Sequence, residues 1–69
     1  MKIGEMIYKA RIDQDLTQSK LGDLVTPSMK KQQVHAIEAG TTTPTTKTVG
    51  RICEALGITV VELYSYGEE

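Results

Sequence analysis

The stretch best equipped for chemistry in this chain is Lys30-Lys31-Gln32-Gln33-Val34-His35-Ala36-Ile37-Glu38. Ammonium groups donate to phosphate oxygens and base edges, and carboxamides both donate and accept. Val34 and Ile37, three residues apart, mark the buried stripe of one helix. Lys31, Gln32, Gln33, His35 and Ala36 are then left for its other faces. A helix that is apolar inward and amide-rich outward, with cations at its N-terminal end, has the character needed to enter the major groove of a duplex. An amphipathic core helix with a solvated face has the same pattern. The remaining inventory excludes more than it suggests. One Cys and one His cannot make a disulfide framework, a four-ligand zinc site or a Cys/His/His cluster. No nucleophile, base and orienting group converge, so no catalytic residue, metal or cofactor is expected. With three Tyr and no Phe or Trp, the chain lacks the aromatic faces on which single-stranded bases stack.

The elements that must position this stretch read as all-α. Val and Ile recur at three- and four-residue spacings, and Gly, Pro and Thr fall between the periodic segments. Ile3, Ile7 and Ala10 share one face of a first helix over about residues 2–13, which Asp13-Gln14-Asp15 ends. Thr17 caps a short second helix, 18–25, with Leu21 and Leu24 as its apolar pair. Thr26-Pro27 reads as a cap followed by Pro at the first helical position, so the third helix starts between 27 and 31; Gly40 closes it after residue 39. The tract 41–46 is a loop whose last Thr residues cap a fourth helix, 46–56, with Val49, Ile52, Cys53 and Leu56 inward and Gly57 as its stop. Thr59 and Glu62 form a capping box for a last helix, 60–66.

Sixty-nine residues suffice for one compact domain over 1–69 with a thin aliphatic core. No segment approaches the roughly 18 apolar residues of a membrane span, and no signal peptide opens the chain, so a cytoplasmic protein is expected. The net charge of −1 conceals an uneven distribution. Across residues 24–53, Lys30, Lys31, Lys47 and Arg51 face Glu38 alone, whereas the rest of the chain holds four cations and eight carboxylates. The basic middle suits a protein that offers one face to an anion.

Two short helices followed by a Gly-closed end and a polar loop form the sequence of a helix-turn-helix. The strings from Arg11 to Leu21 (RIDQDLTQSKL), Ile37-Glu38-Ala39-Gly40, Pro44-Thr45 and Ala55 to Leu63 (ALGITVVEL) resemble the Cro/repressor type, or XRE family, over about residues 3–64. The resemblance implies a compact five-helix bundle of the lambda-repressor-like type, with the motif at about 17–39 and its second helix, about 27–39, in the major groove. It implies an ion pair between Arg11 and Glu38 and a phosphate contact at Gln18. It places base reading on Lys31, Gln32 and Ala36 with Gln33 beside them: Lys to guanine, Gln to adenine, Ala to a thymine methyl. Thr17, Lys30, His35, Thr43 and Thr45 complete the expected phosphate contacts.

The chain departs from the family pattern in two places. It has two residues more between Leu21 and Ile37, and it carries Thr after the third helix where relatives often carry Lys or Arg. Gly22, where the family usually has Ala, is read as permitting close approach of the third helix. Cys53 reads as a small core hydrophobe. Val60, Val61, Leu63, Tyr64 and Tyr66 give the last helix more apolar surface than one small core should absorb, so a homodimer through that helix is expected, with simple core packing as the alternative. The expected function is a sequence-specific transcriptional regulator acting on a double-stranded DNA operator. The rival is a protein-interaction module, such as an antitoxin or anti-repressor partner.

Overall fold

Three threonines set the helix starts. Thr17, Thr45 and Thr59 each hold an extended backbone and accept the amide N–H three residues on, at 3.0, 3.2 and 3.1 Å. Glu62 completes the capping box by accepting the Thr59 N–H at 2.8 Å. The computed structural model describes residues 3–68, as α1 (Ile3–Asp13), α2 (Gln18–Leu24), α3 (Lys31–Ala39), α4 (Thr46–Leu56), α5 (Val60–Ser65) and a closing 3₁₀ turn, Tyr66–Glu68. The described residues contain no strand, and none of their helices is long and apolar enough to cross a membrane. Residue 2, expected in the first helix, lies outside them. Gly40 and Gly57 end α3 and α4 in the left-handed region, φ 82° and 70°, where a Cβ would be strained.

Helices α1 and α2 both pack on α3, while α5 returns to α1. Ile7, Leu21, Val25, Val34, Ile52 and Leu63 are fully enclosed, with Met6, Ala10, Ile37, Cys53 and Leu56 around them. Burial pushes the Cys53 thiol above its ordinary range, since no charge stands by to favour a thiolate.

The connection between α2 and α3 differs from the sequence reading. Thr26 is no cap: the chain passes through a cis Thr26–Pro27 bond and α3 begins only at Lys31, with Lys30 in the cap position. The connection is held by other groups. Arg51 of α4 donates to the carbonyls of Thr26 and Pro27 at 3.1 and 2.7 Å, and the Met29 N–H donates to Gly22 O at 2.9 Å. Leu24, expected inward, is 44% exposed, and Val25 replaces it at 2%. The cause is local: Val25 leaves the helix with an extended backbone, which carries its side chain into the core.

Gly22 makes its close approach with this connection more than with α3. A Cβ there would meet the Met29 carbonyl, whereas the nearest atom of α3, Val34 Cγ2, is 3.6 Å away. A second close approach, unforeseen from sequence, seats Gly4 of α1 against the carbonyls of Ile37 and Glu38. Gly50 in α4 has nothing within 4 Å of the equivalent position. Gly50→Ala should therefore add about 0.5–1 kcal/mol of stability through helix propensity. Gly22→Ala gains the same propensity but must displace backbone, and should lose about 1–2 kcal/mol net. Urea melts of the two variants beside the parent measure both, and a stabilised Gly22→Ala would contradict this packing.

Candidate nucleic-acid interface

The polar face of α3 rests on an ion pair beneath it. Arg11 is 7% exposed and donates through Nε to Glu38 Oε2 at 2.7 Å and through Nη2 to Oε1 at 2.9 Å. Its Nη1 donates to the Leu16 carbonyl at 2.7 Å, and its guanidinium carbon lies 5.2 Å from the centroid of the Tyr8 ring. The hydrogen bonds to Glu38 raise the Arg11 pKa above the usual guanidinium value, partly offset by burial. Gln18 at the start of α2 adds a third donor, Nε2 to Glu38 Oε1 at 3.1 Å. The expected pair is thus present, and it binds α1, the link after it, α2 and α3 at one point.

Above this point α3 turns Val34 and Ile37 into the core and leaves Lys31, Gln32, Gln33 and His35 exposed. Gln32 lies between two recesses. On one side are Gln18, Lys31 and His35. On the other an open groove runs between α3 and the threonine loop, lined among others by Met29, Gln33, Ala36, Thr43, Pro44 and Thr45. Of the four residues expected to read bases, Gln32, Gln33 and Ala36 therefore share the groove, whereas Lys31 lies in the recess on the other side of Gln32.

Their free hydrogen-bonding groups differ. Gln33 Oε1 accepts the Lys30 N–H at 2.8 Å, which ties its carbonyl end to the start of α3. Lys30 has no acceptor with which to return the bond, and the capping box is only half made. Gln32 is exposed and has no such tie.

The expected phosphate contacts are dispersed around the same face. Lys30 and Thr43 are exposed. The Thr17 and Thr45 hydroxyls cap α2 and α4, and the Thr45 proton is donated to Thr48 Oγ1 at 3.1 Å. Gln18 is half-buried and already committed to Glu38, while its Nε2 lies 3.4 Å from His35 Nδ1. Arg51, counted among the cations of the basic middle, is withdrawn from the face by its bonds to Thr26 and Pro27. Met29 and Thr48, which line the groove, went unnoticed in the sequence. Met29 gave no polar signal, and Thr48 was legible only as the residue three after a cap.

Among the described residues no three His, Cys, Asp or Glu groups come together as a metal site. Two short helices joined by a brief connection, the second exposing a polar face and both seated on flanking helices, define the helix-turn-helix class of DNA-binding domains. A helix-turn-helix family model matches residues 7–63, and the chain belongs to that family, of the Cro/repressor or XRE type. Comparison with curated proteins and with solved structures gave no match.

Because Arg11 and Glu38 are both enclosed, removing either strands the other in a poorly solvated place. Arg11→Ala and Glu38→Ala should each cost about 3 kcal/mol or more, and the double variant clearly less than their sum. Denaturant melts of the three variants give the coupling, and small additive losses would show that the pair is not enclosed in solution.

Proposed function

We propose that the chain is a sequence-specific, repressor-like transcriptional regulator that binds double-stranded DNA as a homodimer, with α3 in the major groove. The observation that carries this reading is the division of α3 between a face sealed by Val34 and Ile37 and a face of Lys31, Gln32, Gln33 and His35 open to solvent. Gln32 is the amide suited to an adenine edge, because a bidentate contact needs both of its ends and those of Gln33 are not both free. Lys31 suits a guanine edge or phosphate, and Ala36, in the groove wall, suits a thymine methyl. Thr17, Gln18, Lys30, His35, Thr43 and Thr45 ring this face as the phosphate contacts.

The proposed dimer contact is smaller than the sequence suggested. Leu63 is absorbed by the core, and the Tyr66 hydroxyl donates to Asp13 Oδ2 at 2.8 Å. Val60, Val61 and Tyr64 remain exposed on α5 and are the residues assigned to the second copy. The site of action is the cytoplasm.

Selection from random duplexes with purified protein should enrich an inverted repeat whose half-sites lie about one helical turn, roughly 34 Å, apart. Gln32→Ala should relax one position of each half-site at about 1–3 kcal/mol while leaving non-specific binding unchanged. If Gln33→Ala alters the preference and Gln32→Ala does not, the register is wrong by one residue. With Arg51 withdrawn, Lys30 and Lys31 are the cations at the start of α3, so about two phosphates per subunit are neutralised and affinity should fall with salt on a log–log slope of about 4 for the dimer. No enrichment at low salt would replace this reading with that of a protein-binding module, to which the overall charge of −1 is better suited.

A further inference from the structure

The only histidine of the chain stands where the buried ion pair reaches the surface. Glu38 Oε1 accepts from Arg11 Nη2 and from Gln18 Nε2, at 2.9 and 3.1 Å. A carboxylate paired with a guanidinium only accepts, so Gln18 turns its NH₂, and not its carbonyl, toward Glu38. The same Nε2 lies 3.4 Å from His35 Nδ1, within reach of the second hydrogen of that NH₂. Two donors cannot meet there. With Nδ1 as the acceptor, the proton of a neutral imidazole would lie on Nε2.

We propose that Arg11, Glu38 and Gln18 form a relay that holds His35 as the neutral Nε2–H tautomer, and that this outward N–H donates to a phosphate oxygen of the duplex. Gln18 is then a positioning residue for His35 more than an independent phosphate contact. The inference rests on the DNA-binding reading above. A phosphate fits better than a base edge because His35 lies on the α2 side of α3, in the recess shared with Gln18 and Lys31. In this motif the first helix crosses the phosphate backbone. The base-reading groove, with Ala36 and the threonine loop, is on the other side of Gln32. Lys31, one turn before His35, supplies the charge in the recess, so His35 contributes direction without releasing a counterion.

The test combines a spectroscopic and a binding measurement, at about pH 8 where an ordinary imidazole is neutral. Long-range proton–nitrogen correlation of the free protein, unambiguous with one histidine, should show a single Nε2–H tautomer with Nδ1 accepting a hydrogen bond. Gln18→Ala should convert it to a mixture. On any duplex bound by the parent, His35→Ala should weaken binding roughly tenfold, alike for preferred and random sequences. Its salt slope should remain unchanged. His35→Gln, which keeps an N–H near the Nε2 position, should recover most of the loss, whereas His35→Asn should not. A parent protein that binds no duplex overturns the DNA reading and this one together. A parent that binds DNA overturns this inference alone if it shows an Nδ1–H tautomer, if Gln18→Ala leaves the tautomer unchanged, or if His35→Ala lowers the slope by about 0.9 per subunit.

Discussion

Arg11 and Glu38 bring two opposite charges into a part of the molecule with little exposed surface, and each depends on the other to remain there. Taking such ions out of water costs several kcal/mol apiece, and only close, bidentate geometry with further hydrogen bonds repays it. Both conditions are met, with Leu16 O accepting a third guanidinium hydrogen and Gln18 donating to the carboxylate. An apolar contact between α1 and α3 would tolerate sliding. A fork-to-carboxylate contact does not, because shifting α3 by one residue would separate the charges and leave both unpaired. The orientation of the α3 outer face, and so of Gln32 and His35, follows from this constraint.

The face so fixed reads its partner with few full charges. Arg51, the remaining guanidinium of the basic middle, is spent on two carbonyls of the α2–α3 connection. The threonines of the loop after α3 are partly engaged: Thr41 Oγ1 donates to Ala36 O at 3.1 Å, and Thr45 caps α4. Neutral donors and acceptors give direction to a contact but little long-range attraction, and attraction is what supplies most non-specific affinity for DNA. A face built this way depends on fit more than on charge.

Fit in turn depends on a core of eleven buried apolar side chains, none of them aromatic. So small a core leaves little margin, and backbone-to-backbone contacts compensate where side chains are lacking. Gly4 and Gly22 bring α1 and α2 against the two ends of α3 and its connection. The 3₁₀ turn at the far end is fastened to α1 by Tyr66 on Asp13, and Gln14, the residue after α1, donates through Nε2 to Leu56 O at the end of α4 at 2.6 Å.

What the sequence determined by itself was what depends on neighbours along the chain. The three threonine caps, the Thr59–Glu62 box, the left-handed glycines at 40 and 57 and the stripe of Val34 and Ile37 involve groups at most a turn or so apart, so residue type and spacing suffice to foresee them. Arg11 with Glu38 was also legible, though only through resemblance to a family, since 27 residues separate them. Tertiary structure alone decided the start of α3 and the diversion of Arg51. It also brought Gln18 within reach of His35. Each of these turns on which side chain comes to lie beside a carbonyl or amide brought there by another segment. Thr26-Pro27 has all the local signs of a helix start, but the Arg51 and Gly22 groups that hold this connection outside the helix become its neighbours only when the chain has folded.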